Sequence, residues 1–268
     1  MRNYFACFVA LVAAGTALPS AALAQMPAQP PATAKAKSSA PVSPRDLNGM
    51  YQFYNNTPGQ GIYATASKAA PPMTPWAQAR YDANKPGYGP RITKDENDPI
   101  LHCTPAGFPR VIMYPQPVEI VQTPERTFMF FERDHAWRQV WTDGRDHPKD
   151  IEPTWMGDAI GKWDGDTFVV DTVGFNDKSW VDFYGYPHSD QLHLIERYRR
   201  VDANTLTFQY TIEDPKAFTK PWVSDTKIYK KLPKDKAVME ELFCVPEEEE
   251  AFTKRIREPA GAGQGTSK

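Results

Sequence analysis

One turn-rich run carries most of the side chains that could do chemistry. It reads Asp177-Lys178-Ser179-Trp180-Val181-Asp182-Phe183-Tyr184-Gly185-Tyr186-Pro187-His188-Ser189-Asp190-Gln191-Leu192-His193. Long loops on a β scaffold are where sites are usually built. His188 and Asp190 suit a general-base pair, the carboxylate orienting the imidazole and raising its basicity. Asp182, or His135 from a strand connection further back, would serve as the acid. With His193 the spacing His-x-Asp-x-x-His could also ligate a metal, provided His193 points the same way. Hydrogen bonds that merely fix the loop are the plain alternative to both. No metal or other cofactor is expected.

Just beyond lie Arg197 and Arg199, expected to anchor an anionic ligand, with Trp180, Tyr184 and Tyr210 as its apolar walls. If Val201 faces Leu206 across a hairpin, then His193, Ile195, Arg197 and Arg199 share the inner face with Leu206, Phe208, Tyr210 and Ile212. Inward arginines need acidic partners or an anionic ligand, unless they reach water at a barrel mouth. A β-bulge would exchange the two faces. His147 in Gly144-Arg145-Asp146-His147-Pro148 reads as turn chemistry, and His102 as structural. The chain has no Gly-x-Ser-x-Gly elbow, P-loop, dinucleotide fingerprint or His-Glu-x-x-His motif, which weakens serine-hydrolase, nucleotide-binding and zinc-protease readings.

The elements that must position these residues are strands. Val118–Gln122 alternates, Thr123-Pro124-Glu125-Arg126 reads as a turn, and Thr127–Glu132 returns. Trp137–Thr142 follows. Ala159–Trp163 meets Asp164-Gly165, the strongest hairpin signal in the chain, and Thr167–Phe175 runs back. Leu192–Val201 and Leu206–Glu213 form another hairpin, with Val223–Lys231 and Glu240–Cys244 completing the set. This pattern predicts a mainly β fold, an antiparallel meander closing into a barrel or half-barrel. Two short helices are expected. One is capped by Thr74 with Pro75 at its first position, and the other begins near Glu247.

Both ends fall outside that domain. Arg2, the apolar run Phe5–Leu18 and Ala22-Leu23-Ala24 read as a signal peptide over residues 1–24, too short to span a bilayer. Residues 25–45 are Pro-, Ala- and Ser-rich and expected to be a disordered linker, as is the tail 259–268. A single domain over 46–258 remains, with the proline-rich 46–99 as an extended N-terminal arm. A net charge of −2 argues against nucleic acid as a partner. Seven Trp, twelve Tyr and fourteen Phe suit strands and pocket walls. Cys103 and Cys244 remain after removal of the leader, and in an oxidising compartment they are most simply one disulfide. The expected location is periplasmic or secreted, with no stable membrane insertion after processing.

The runs GDAIGKWDGDTFVVDTVGFNDKSWVDFYGYPHSDQLHLIERYRR and TIEDPKAFTKPW resemble those of a family of exported, largely uncharacterised bacterial proteins, over roughly Asp98 to Cys244. That resemblance implies no activity or catalytic residue. At a coarser level, the hairpin turning at Trp-Asp-Gly before an aromatic-rich barrel is similar to lipocalin-like, or calycin-like, folds. Such folds hold apolar small molecules and sometimes host isomerases, lyases or hydratases, an implication of fold alone. Three functions are therefore carried forward. The first is an enzyme using acid–base chemistry on a small, partly apolar and anionic substrate, of lyase, isomerase or hydrolase type. The others are a non-catalytic ligand carrier or sensor, and an envelope scaffold that meets a protein partner.

Overall fold

The computed structural model of the chain describes residues 43–54 and 65–259. The expected leader over 1–24, most of the expected linker over 25–45 and the expected tail from 260 lie outside the described residues.

Among the described residues ten strands make one sheet. They are β1 (Gly49–Tyr54), β2 (Val118–Gln122), β3 (Arg126–Phe131), β4 (Trp137–Trp141), β5 (Asp158–Asp164), β6 (Thr167–Val173), β7 (His193–Asp202), β8 (Thr205–Glu213), β9 (Trp222–Val223) and β10 (Lys227–Lys231). They lie in the order β10-β1-β2-β3-β4-β5-β6-β7-β8-β9, and β10 also pairs with β8. That second pairing closes strands β1–β8 and β10 into a nine-stranded barrel, leaving the two-residue β9 as a flap on β8. Closure removes the edges that an open sheet would expose. The expected barrel with two short helices is what forms, α1 over Pro75–Ala83 and α2 over Pro246–Phe252. The Thr74 hydroxyl caps α1 by accepting the Ala77 N–H.

Four expectations change in detail. The sheet is mixed, because β4 and β5 run parallel through a single bridge, Trp141 to Ile160. The sixteen-residue connection between them makes that possible, since a parallel step needs a long crossover. Residues 49–54, read as part of the N-terminal arm, are instead a barrel strand between β10 and β2. The predicted strand over Val223–Lys231 is split, because Ser224 leaves the ladder to trade hydrogen bonds with the Tyr210 backbone. Glu240–Cys244 is not a strand at all. The preceding strand, β10, is already paired with both β1 and β8, so this segment cannot add beside it, and it is held by Glu132 and His135 side chains and by the Cys103–Cys244 disulfide.

The inner face follows strand alternation. Val118 and Ile120, Thr127, Met129 and Phe131, Phe168, Val170 and Thr172, and Leu206, Phe208, Tyr210 and Ile212 are all buried. The β5–β6 hairpin turns on Gly165-Asp166, with positive φ at the glycine alone among the two, the pattern of a type II′ loop. The segment 104–114 is threaded into the barrel as a plug. Its Phe108 ring lies near Phe131 and Phe208, the Tyr210 hydroxyl donates to Met113 sulfur at 3.2 Å, and the Tyr229 hydroxyl donates to the Ile112 carbonyl at 2.5 Å.

Inside this apolar filling sits a charged cluster that ties three strands together. The Arg138 guanidinium of β4 donates to both Glu196 carboxylate oxygens of β7 at 3.0–3.2 Å, and to the Thr172 hydroxyl of β6 at 3.0 Å. Thr172 and the Tyr198 hydroxyl in turn donate to Glu196, at 2.8 and 2.6 Å. Arg138 also lies 3.9 Å from the Phe108 ring centroid. Both charged side chains are essentially sealed from solvent. A buried pair is costly to assemble but far costlier to break, since the surviving charge has no water to turn to. Arg138→Ala is expected to lower unfolding free energy by about 3–5 kcal/mol, measured by urea denaturation. Arg138→Met combined with Glu196→Leu should recover much of that loss. A double variant no more stable than Arg138→Ala alone would show that packing, not the orphaned charge, sets the cost.

Candidate functional site

The crossing segment between β6 and β7 does not assemble the pair its sequence suggested. His188 is turned inward and Asp190 outward, so the two side chains part company. Asp190 instead meets Lys216 at 3.2 Å on the surface. The Nδ1 of His188 faces the Ser189 carbonyl at 3.1 Å, and its Nε2 faces the Ser179 hydroxyl at 3.0 Å. A carbonyl can only accept, so Nδ1 carries the proton and Nε2 accepts from Ser179. Burial holds the His188 pKa below its ordinary value, which favours that neutral tautomer.

Asp182 is fully buried and accepts the backbone N–H groups of Ala66 and Tyr184, each at 2.9 Å. Burial is the largest influence on its carboxyl and pushes the pKa up to about 6, against the opposing pull of those donors and of Arg110. A carboxyl tuned so high suits a general acid, but this one is sealed and fastens the segment around 65–66 to the barrel. His135 is exposed, stacks on Phe243 at 4.2 Å and accepts the Leu242 N–H on Nε2 at 2.9 Å. It holds the C-terminal strap.

The expected ligand walls are packed too. Trp180 and Phe183 flank Arg110, which forms a sealed two-pronged ion pair with Asp98. Tyr184 lies so close over Gly89 that a Cβ there would meet its ring at 2.4 Å. Tyr210 is wholly buried against Met113.

Arg197 and Arg199 do not face inward. The β7–β8 ladder pairs Arg200 with Leu206 and shifts register between Arg200 and Asp202. The single irregularity at Val201 moves Leu194, Glu196, Tyr198 and Arg200 to the inner face and sends His193, Ile195, Arg197 and Arg199 outside. A period-two strand allows no other outcome for a one-residue slip.

The outer face that results contains an open groove of about 740 Å³ over strands β4–β7, with Trp141, Lys162, Trp163, Asp171, Ile195 and Arg197 among its lining. The ladder registers place Lys162, Val169 and Arg197 in one row across β5, β6 and β7, and Ile160, Asp171 and Ile195 in the next. Strands lie about 4.8 Å apart, so the two cations flank Val169 at a span of about 10 Å between their backbones. Among the described residues neither is in an ion pair. Arg145 lies 3.4 Å from the centroid of Trp141 and Arg126 4.8 Å from it, so the aromatic wall is itself braced by cations.

Beside the groove runs a chain of hydrogen-bonded side chains that sequence reasoning missed. His147, folded back from the β4–β5 connection, places Nδ1 2.6 Å from Asp158 and Nε2 3.4 Å from Asp171. His193 places Nε2 2.8 Å from the same Asp171 oxygen and Nδ1 3.0 Å from Glu213. With the correct face of β7, the alternation alone would have set His193 and Asp171 on one surface. Nothing local reveals that His147 joins them. Among the described residues no group of three or more such side chains is gathered closely enough to hold a metal ion as it stands.

Asp182 yields a pH signature. Its carboxyl has an ordinary value of 3.8 and titrates at about 6 when folded, so between those limits the folded state holds the extra proton. Stability therefore falls as pH rises through that window, by on the order of 3 kcal/mol for this group. Denaturation of wild type and Asp182→Asn between pH 4 and 7 should show the decline in wild type and a flatter profile in the variant. Parallel profiles would mean that the carboxyl is not the source.

No protein-family model, curated protein or solved structure matches this chain.

Proposed function

We propose that this protein is a small-molecule-binding barrel whose site lies on the outer face of β4–β7, and that its ligand is partly apolar and anionic. The observation that carries the reading is the row Lys162–Val169–Arg197, two cations without ion-pair partners among the described residues, on either side of an apolar strip, in a groove walled by Trp141. Aromatic walls with a few placed charges are the usual make-up of ligand sites. An exposed guanidinium with no carboxylate of its own is available for a two-pronged bond to one from a ligand. Arg197 thus keeps the anchoring role expected of it, from the opposite face of the strand.

Acid–base catalysis by the crossing segment draws no support from the geometry, since His188 and Asp182 are sealed and Asp190 is turned away. The carrier or sensor reading fits the groove without further assumption. An exported, periplasmic or secreted setting is supported by the Cys103–Cys244 disulfide, whose partners lie 141 residues apart, because such bonds persist in oxidising compartments.

The test compares aromatic carboxylates with their neutral amides, followed by tryptophan fluorescence. Carboxylates should bind more tightly, and Lys162→Ala with Arg197→Ala should weaken them about tenfold or more while leaving the amides unmoved. Equal binding of acid and amide, or an unaffected double variant, would remove the groove from consideration.

A further inference from the structure

Past β10 the chain leaves the barrel and lies against it as a strap. The Leu232 N–H still donates to the Met50 carbonyl at 2.8 Å, but from there to α2 the chain forms no strand. Two of its N–H groups reach the barrel through side chains, Glu240 to Glu132 and Leu242 to His135, each at 2.9 Å. Its large apolar side chains add little burial, since Val238, Phe243, Val245 and Phe252 are all exposed. So thin a contact offsets little of the entropy lost in ordering the segment. The Cys103–Cys244 bond is the covalent tie that keeps it in place.

The backbone beneath the strap is strained. Among the described residues three that are not glycine have positive φ: Cys103 at 56°, Asp134 at 61° and His135 at 46°. All three belong to this one docking surface. Cys103 carries the bond, Asp134 lines the cleft under the strap, and His135 accepts the Leu242 N–H and stacks on the Phe243 ring at 4.2 Å. Left-handed backbone in residues that carry a Cβ persists only where its surroundings over-determine it, and it gathers at clamps and switch regions. Here the strap is part of those surroundings.

The bond is also open to attack. Both cysteines are half-buried, and their neighbours His102 and Phe243 are exposed. Thiol–disulfide exchange requires that an incoming sulfur reach one of the two. A bond sealed inside the barrel would not allow it.

We infer that Cys103–Cys244 is a redox-controlled clasp: a dithiol reductant opens it, the strap lifts, and the barrel stays folded. One thiol of the reductant attacks either sulfur as its thiolate, and the S–S bond breaks. The reductant's second thiol then resolves the mixed disulfide, so that the reductant gives up two electrons and closes on itself. Its two thiol protons end on Cys103 and Cys244. Lifting the strap uncovers Ile100, Leu101, Arg133 and Asp134, the barrel side of a cleft of about 310 Å³. That surface is reachable in the reduced protein and covered in the oxidised one. The barrel survives because its closure, β10 to β1 and β8, is made of backbone ladders that include neither cysteine. The clasp shares no residue with the lining of the groove and stands independently of the ligand proposed there.

The experiment treats the full chain with dithiothreitol in native buffer, counts thiols by iodoacetamide labelling and follows hydrogen exchange by mass spectrometry. Two further labels per chain should enter. Exchange over 233–245 should then accelerate about tenfold or more, while β2, β3, β7 and β8 keep their protection. Cys244→Ser should show the fast strap without any reductant, with circular dichroism as the check on folding. Should that variant not fold, the reduced wild type carries the test alone. The inference is overturned if the labels enter only after denaturant is added, or if the strap stays protected with both labels in place. It is equally overturned if the strands lose protection together with the strap, which would make the bond a staple of the whole barrel.

Discussion

The ion pair between Arg138 and Glu196 is the constraint from which the rest of the barrel follows. It bridges β4 and β7, strands that are not neighbours, and through Thr172 it recruits β6 between them. A pair sealed from water must have nearly all its hydrogen-bonding capacity met inside the protein. Thr172 and Tyr198 supply hydrogen bonds to the pair and Phe108 its ring face, leaving the Arg138 Nε as the one nitrogen of that guanidinium without a partner. The cluster thus sets which face of β7 is inner, and it holds the plug at Phe108. Apolar side chains could fill the same volume in several arrangements, whereas a network of directed bonds tolerates few.

A barrel tied in this way has its interior committed. Phe108, Ile112, Met113 and the rings of Tyr198, Phe208, Tyr210 and Tyr229 occupy the space that a carrier barrel would give to a ligand. Arg110, the one charged group of the plug, is consumed by Asp98 and by the faces of Trp180 and Phe183. The polar, aromatic crossing segment then becomes a lid over the plug. Its composition looks like that of a binding loop because burying an arginine and several backbone donors takes the same residue types as binding a ligand: carboxylates, hydroxyls, an imidazole and flat rings.

This explains which parts were legible in the sequence. Strand positions from β2 to β8 came through because a half-buried strand writes its environment into every second residue. Thr74 marked its helix because a cap is a local bond. The disulfide could be named because only Cys103 and Cys244 lie outside the stretch that reads as a leader. What stayed hidden depends on contacts distant in sequence. Gly49–Tyr54 is short and precedes a proline-rich stretch, so nothing local announces that it fills the gap between β10 and β2. The bulge at Val201 has no residue signature, yet it decides the orientation of Arg197, Arg199 and His193. His147 sits in a charged turn and acquires its meaning only from Asp158 and Asp171, which the β5–β6 hairpin delivers.

The position of the groove follows from the one irregular joint in the sheet. Every neighbouring pair but β4–β5 is antiparallel, while β4 and β5 touch at one bridge before the chain departs for sixteen residues. A parallel neighbour requires such an excursion, and the excursion must be fastened somewhere. Here it is fastened by His147 onto the outer face of β5 and β6. The same fold-back brings Gly144 and Arg145 over the seam and raises one wall of the groove. A regular hairpin at this joint would have left a flat surface. The topological exception thus creates the concavity and imports the histidine, which is why the side chains best suited to chemistry lie on the outside of the barrel and not within it.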